Sequence, residues 1–526
     1  MEIKTREKLI FLISAVFVLF ILVLPRGFAS AQDNSFLFNV QEYTAGDVSN
    51  FKVYPTSTVT EPAKGSCIFD ENYNTSICKV ADKNNFNSSE IGNAIKPVYS
   101  RWRIDNSKGD LYFLVKDDES PKWSGRGQMV IFNSSDDSIY KIATEVMGQE
   151  SAEFRWDYSG SRPYIMYYVS ACQFREYDVT TGQTFLIRDF GLDFPNCGKI
   201  MNDVEGDSSK DSRYWVWMLS NPYTNGTFPL QRIITYDKQT NTIIGDFDYA
   251  DYISLGGTMT ESAWKSRRPN MVDMSPEGNK VVLLYGRCWS GVCPGDIGSI
   301  FDGVYVWNKN FTNPIKVCPD QTHSGWAYDY NGNEVYVCQD NTRDYIMYTN
   351  INTGEKHDIL NHADLGYGTG GFHFGRFYNP AIKGWVYMTT YYSVNDGWAK
   401  NKAMMVEIKD ISEHPRVWRI SDTHNNYPST SAYVREAYSP ISADGKTIYW
   451  GADWPGGDGT VDTYKVTLPD NWWLLINGIS TYHPADTNQN GKVEMKEFVS
   501  FIGSWKSGQA NLADVLEVLG RWFSGL

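Results

Sequence analysis

The sequence predicts an all-β chain organised as a seven-bladed β-propeller, followed by a small α-helical, calcium-binding C-terminal module. Three observations carry that expectation: a recurring turn-plus-strand unit, an excess of aromatic residues, and a change of composition after Trp473. The unit is a turn with glycine ahead of an apolar, aromatic-rich run. Gly109 precedes LYFLV, Gly160 precedes PYIMYYV, Gly278 precedes VVLLYG, Gly332 precedes EVYVC, Gly384 precedes WVYMTTYY and Gly445 precedes TIYW. A weaker copy, Tyr214 to Trp217, follows an acidic loop.

Second turns follow most of these strands, around Gly182, Asn241 and Gly354. Glycine and asparagine suit them because tight hairpins need positive φ. Four strands per unit, repeated around a ring, is the propeller pattern, and closure protects the strand edges. Aromatics are 15% of the chain and tyrosine alone numbers 34, as expected where rings pack across pleated surfaces. The third repeat is diffuse, which leaves six or eight blades open. The last unit, 436 to 468, lacks a strand, and the segment near 36–54 is the candidate to supply it. No segment before residue 485 shows helical periodicity.

Residues 1–31 read as a targeting segment. Lys4, Arg6 and Lys8 precede an apolar run over 9–24, and Ala29-Ser30-Ala31 offers an A-x-A cleavage site. Cleavage is the first reading; an uncleaved anchor, which would bring the chain to a membrane, is the second. Residues 32–98 read as an N-terminal lead-in carrying the closing strand, 99–470 as the propeller, 471–484 as a linker and 485–526 as the tail.

The eight cysteines fall into four sequence-close pairs, Cys67 with Cys78, Cys172 with Cys197, Cys288 with Cys293 and Cys318 with Cys338. An even count behind an export signal points to disulfides, and no C-x-x-C spacing supports zinc. Sequons at Asn74, Asn87, Asn133, Asn225 and Asn310 fit a glycosylated exterior. The net charge of -14 excludes nucleic acid as the ordinary partner, because phosphate binding needs clustered cations.

The tail holds the most specific motif. Asp486, Asn488 and Asn490 supply hard oxygens at positions 1, 3 and 5 of a twelve-residue loop, and Gly491 turns the chain at 6. Lys492 offers its carbonyl, Glu494 acts through water, and Glu497 closes the site bidentately. Phe498, Phe501, Ile502 and Trp505 continue a helix; a second is expected over 511–523, with Leu512, Val515, Leu516, Leu519 and Trp522 on one face. The tail resembles half of a dockerin, the calcium-dependent docking module of secreted carbohydrate-active assemblies, and departs from it because 507–510 carries no second set of ligands. Similar single-loop tails occur on exported archaeal proteins. The resemblance implies docking to a cell-surface partner; a structural staple is the alternative.

Counting back about ten residues from the hairpin glycines places His323, His373 and Glu436 at the channel mouth on three neighbouring blades. Arg101 and Arg435 hold comparable positions and His424 lies in the loop before the last blade. Two imidazoles and a carboxylate suit a second divalent metal; with Arg435 they suit a sugar acid; and ordinary channel lining needs no ligand at all. Trp326, Tyr433 and Trp454 are candidate sugar-stacking rings. No G-x-S-x-G elbow, phosphate loop or dinucleotide fingerprint is present.

HSGWAYDYNGNEVYVCQD, GWVYMTTYY and YVREAYSPISADGKTIYWGADW, all within 323–468, resemble a family of secreted propellers of undetermined activity. More distantly they resemble oligogalacturonate lyases, propellers that hold a metal through histidines and glutamine and cleave uronic-acid chains by β-elimination. The resemblance implies His323, His373 and His424 as metal ligands and Arg435 as a substrate or base residue. This chain departs from the lyases' paired histidines, since Asn425 and Asn426 follow His424. The sequence thus leaves three functions open: a carbohydrate-binding surface protein, a metal-dependent polysaccharide lyase or hydrolase, and an architectural envelope protein docking through its tail. If the tail loop holds calcium, Glu497→Gln weakens calcium binding and loosens the C-terminal helix. Equal melting of the wild-type chain with and without calcium would refute this.

Overall fold

A computed structural model describes residues 39–54, 59–83, 94–117, 128–146, 153–224, 227–285, 302–319, 323–366, 371–391, 397–426, 435–455 and 460–477. In the C-terminal unit it describes 485, 493–507, 515, 516, 518, 519 and 522. The described residues from 39 to Ile476 belong to one compact unit and those from Asn477 onward to another.

The larger unit is a β-propeller. Strands β1 (Val40–Glu42), β2 (Cys67–Asp70) and β3 (Thr75–Ala81) come first in the chain but join the last two blades. The first blade is β4 (Ala94–Lys96), β5 (Leu111–Asp117), β6 (Gln128–Asn133) and β7 (Ile139–Ile142). The second is β8 (Arg155–Trp156), β9 (Ile165–Ser170), β10 (Gln173–Asp178) and β11 (Thr184–Asp189). The third is β12 (Lys199–Met201), β13 (Tyr214–Ser220), β14 (Leu230–Asp237) and β15 (Thr242–Phe247). Helices α1 (Tyr249–Ser254) and α2 (Glu261–Ser266) intervene before the fourth, which is β16 (Met271–Met274), β17 (Lys280–Tyr285), β18 (Gly303–Asn308) and β19 (Ile315–Cys318).

The fifth blade, β20 (Ser324–Tyr328), β21 (Glu334–Asp340), β22 (Tyr345–Asn350) and β23 (Lys356–Asn361), is bridged to the sixth by the pair Tyr328 and Trp385. The sixth is β24 (Gly371–Phe374), β25 (Trp385–Tyr391), β26 (Lys402–Glu407) and β27 (Arg416–Asp422), with β1 added antiparallel to β27. In the seventh, β28 (Thr447–Ala452) and β29 (Asp462–Thr467) are continued outward by β3 and β2. All pairings within the blades are antiparallel.

The marker glycines explain the regularity. Gly109, Gly160, Gly278, Gly332, Gly384 and Gly445 all have φ between +68° and +82°, a conformation that costs glycine little and other residues much. Each sits in the hairpin between the first and second strands of a blade, and the weaker copy, Tyr214 to Trp217, falls in β13.

Closure differs from the sequence expectation. The seventh blade is completed by 67–70 and 75–81, whereas 40–42 extends the sixth blade instead. The apolar residues of β3, Ile77, Val80 and Ala81, are too few to outrank the earlier segment on pattern alone. Cys67–Cys78, Cys172–Cys197 and Cys318–Cys338 form as their proximity predicts; Cys288 and Cys293 lie outside the described residues. Short helices before residue 485 were also not legible. α1 and α2 have six residues each, under two turns, so periodicity cannot register, although Asp248 and Thr260 cap them. A third, α3 (Trp472–Ile476), falls in the segment read as linker, and packs Trp472 against Trp385 and Trp418 in the core of the sixth and seventh blades.

In the C-terminal unit, α4 (Met495–Lys506) begins at Glu494, whose backbone N–H donates to Glu497 Oε2 at 3.0 Å. Phe498 stacks on Trp522, and Val493 and Val518 are buried with them. Leu516, placed on the apolar face by the sequence, is 57% exposed, and Val518 takes its place. Asp486, Asn488, Asn490 and Lys492 lie outside the described residues, as does the targeting segment.

Buried carboxyls tie neighbouring blades together. Asp105 of the first blade accepts from the Ala443 N–H of the seventh at 2.9 Å, and burial pushes its pKa up to about 7. Glu334 of the fifth accepts from the Glu277 N–H of the fourth at 2.8 Å, and burial likewise pushes it up to about 7. Asp70, beside Lys402 and Asp422 of the sixth, is raised by burial to about 6. Raised values mean that the folded state binds more protons, so the stabilisation is complete below the unfolded value of about 4 and lost as pH rises through 6 to 7. The thermal midpoint is therefore expected to rise as pH is lowered from about 8 to about 6.5, above the range where the buried neutral histidines oppose it, and Asp105→Asn to flatten that rise. Melts that climb toward pH 8 would contradict it.

Candidate functional site

The structure brings three of the predicted residues together, from three neighbouring blades. His323 immediately precedes β20, His373 lies on β24, and Glu436 precedes the Ile441–Ile448 bridge of the seventh blade. The His323 and His373 rings are 4.4 Å apart, centroid to centroid. His373 Nε2 lies 3.0 Å from Glu436 Oε2, and both residues are buried.

The environment fixes the protonation of His373. Burial first, then the nearby Arg101 and Lys96 cations, lower its pKa well below the ordinary histidine value, so the neutral ring donates its Nε2–H to Glu436. That assignment follows from the hydrogen-bond network and leaves Nδ1 as the acceptor nitrogen, which is buried without a hydrogen-bond partner. Tyr391 stacks on His373 at 4.6 Å and 22°. Tyr99 and Tyr438 approach it at 5.3 and 4.9 Å. Lys96 Nζ stands 4.4 Å over the Tyr438 ring.

Arg101 joins the first blade to the fifth and the third. It is buried, donates to Ser324 Oγ at 2.7 Å and comes within 3.7 Å of Glu205. Below it runs a second polar layer. Asp207 accepts from Arg103 at 3.0 Å and from the Tyr378 hydroxyl at 2.5 Å. Arg376 donates to Asp273 at 2.6 Å, and Trp326 Nε1 donates to the other oxygen of Asp273 at 2.7 Å.

Other expected site residues lie elsewhere. His424 stacks on Trp454 at 3.8 Å, is wholly buried, and takes its backbone N–H to Asp422. Arg435 pairs with Asp453 at 3.2 Å. Neither joins the His323–His373–Glu436 group through any contact among the described residues. Trp326 and Trp454 are packed in core clusters rather than lining the mouth. Trp326 is three residues from His323, and the two-residue period of a strand turns it to the opposite face. Tyr433 lies outside the described residues. The rings that do wall the site, Tyr99, Tyr391 and Tyr438, were hidden among 34 tyrosines.

A divalent metal fits this group poorly. Among the described residues no three His, Cys, Asp or Glu side chains come together in a metal-holding set. The Nε2 of His373 is committed to Glu436, and Arg101 and Lys96 lie close enough to disfavour a further positive charge on the ring.

No family model and no curated protein sequence matches the chain. Among solved structures the chain is similar to an oligogalacturonate lyase from Vibrio parahaemolyticus, at 11% identity over 78% of this chain and 100% of that one, with a TM-score of 0.51. It also matches an oligogalacturonate lyase in complex with manganese, at 12% identity over 78% of this chain and 100% of that one, with a TM-score of 0.49. At such identity the likeness is one of fold: this chain shares the propeller.

Proposed function

We propose that this chain is an exported β-propeller that binds carbohydrate at the channel mouth, with carboxylate-bearing sugars as the preferred class. The observation that carries this reading is the placement of two buried cations, Arg101 and Lys96, beside the His373–Glu436 pair and three tyrosine rings. A guanidinium recognises a carboxylate, tyrosine faces take the apolar face of a sugar ring, and the imidazole and carboxylate exchange hydrogen bonds with hydroxyls. The oligogalacturonate named for the similar propellers is a polymer of this chemical kind. Three disulfides support the exported setting, in agreement with the targeting segment read at the N-terminus.

The C-terminal unit adds a calcium loop over Asp486, Asn488, Asn490, Lys492, Glu494 and Glu497 and a docking role toward a surface partner. Supporting the first is Glu497, buried at the start of α4 where the closing ligand of such a loop belongs. The metal-dependent lyase reading gains no donor set from the mouth.

Arg101→Gln is expected to lower affinity for oligogalacturonate by about tenfold or more, the scale of a lost charge-assisted contact. Binding of a neutral oligosaccharide of equal length should change little. Calorimetric titration with both ligands checks this; equal affinity of the wild type for both, untouched by the substitution, would remove the acidic-sugar reading.

A further inference from the structure

The first strand of the third blade carries a backbone feature that nothing in the repeat pattern requires. Beyond β12, Asp203 has φ +58° and Val204 has φ +73°. The Glu205 N–H donates to the Asp203 carbonyl at 2.9 Å. A two-residue-spaced hydrogen bond around a positive φ is the rare, strained form of γ-turn, and a β-branched residue at its centre is an outlier.

Three blades hold the turn in place. The Glu153 carboxylate of the second blade accepts the Asn202 N–H at 2.9 Å and the Val204 N–H at 2.8 Å. The Val204 carbonyl accepts from Trp102 Nε1 at 2.5 Å and from Arg155 Nη2 at 2.9 Å. On the fourth-blade side, Gly206 packs so closely that a Cβ would lie 2.0 Å from the Val272 carbonyl. Glu153, Arg155 and Trp102 are all buried. A strained conformation fixed by this many buried partners is the kind that clusters at ligand clamps.

What the turn presents is two carboxylates at the mouth. Asp203 pairs with Arg268 at 2.8 Å. Glu205, partly exposed, stands 3.7 Å from Arg101, within ion-pair range but beyond a hydrogen bond. Glu205 therefore neutralises part of the Arg101 charge and keeps partial exposure to solvent.

We propose that the Asp203–Glu205 turn is a specificity-determining clamp, in which Glu205 accepts hydrogen bonds from ligand hydroxyls adjoining the carboxylate that Arg101 takes. The ligand class this selects is the polyhydroxy acid, over carboxylates that lack neighbouring hydroxyls. The proposal rests on the reading of the mouth as an acidic-sugar site and adds the residue that discriminates within it. A site built around hydroxyl hydrogen bonds rejects analogues without them far more strongly than an apolar pocket rejects a size change.

The test uses the full chain and two probes, trigalacturonate and glutarate, by calorimetric titration. Glu205→Ala is expected to lower the trigalacturonate-to-glutarate affinity ratio by about tenfold or more, and Glu205→Asp to restore part of it. Val204→Gly, which relieves the backbone while leaving Glu205 in place, should lower the ratio by about fivefold with a melting temperature within about 2 °C of wild type. An unchanged ratio in Glu205→Ala, with trigalacturonate binding still dependent on Arg101, overturns the clamp and leaves the mouth reading intact. An unchanged ratio in Val204→Gly alone removes the turn from the proposal and keeps Glu205. Binding independent of Arg101 would instead overturn the mouth reading itself.

Discussion

The buried guanidinium–carboxylate layer around Asp207 and Asp273 is the constraint on which the propeller depends. Residues from six blades meet in this layer. Arg103 comes from the first blade, Arg155 from the second, Asp207 from the third, Asp273 from the fourth, Trp326 from the fifth and Arg376 from the sixth. Arg103 is held between the Tyr158 and Tyr378 rings, 4.0 and 3.9 Å from their centres. Burial opposes ionisation of Asp207, yet Arg103, Arg155 and Arg376 hold its carboxyl far below the usual range. Such a network adds little over an apolar plug of the same shape, but losing any one partner strands a buried charge. Its members come from six blades, so it ties them to one another.

Placement of the mouth follows from that layer. Arg101 is two residues before Arg103 and His373 three before Arg376, so fixing the lower layer restrains the backbone that carries the upper one. The N-terminal segment makes the ring continuous: β3 continues β29 and β1 continues β27, so sixth and seventh blades cannot part without breaking long-range strand pairs. Arg419 strengthens this seam by reaching the Lys52 carbonyl and Gln41.

Legibility in the sequence followed the length scale of each feature. Six hairpin glycines and a weaker seventh strand repeat over tens of residues, and from them the blade count and the positions of His323, His373 and Glu436 could be read. The closing hairpin 67–81 and the six-residue helices were not legible, because a period cannot register in so few residues. His424 and Arg435 sit close in sequence to the mouth, yet side-chain direction sends them to Trp454 and Asp453. Val204 gave no signal at all, since a β-branched residue in a strand-like stretch is ordinary until its φ is known.

The balance of charge in the mouth bears on how a ligand would arrive. A chain with net charge -14 repels polyanions at long range, whereas Arg101 and Lys96 are sunk among tyrosine rings and low-dielectric walls. Their attraction is then short-ranged and strong, felt only by a carboxylate already at the opening. On the proposed reading, Glu205 offsets Arg101 toward any anion and compensates only one that carries hydroxyls. Buried cations behind an acidic exterior would then exchange association rate for discrimination.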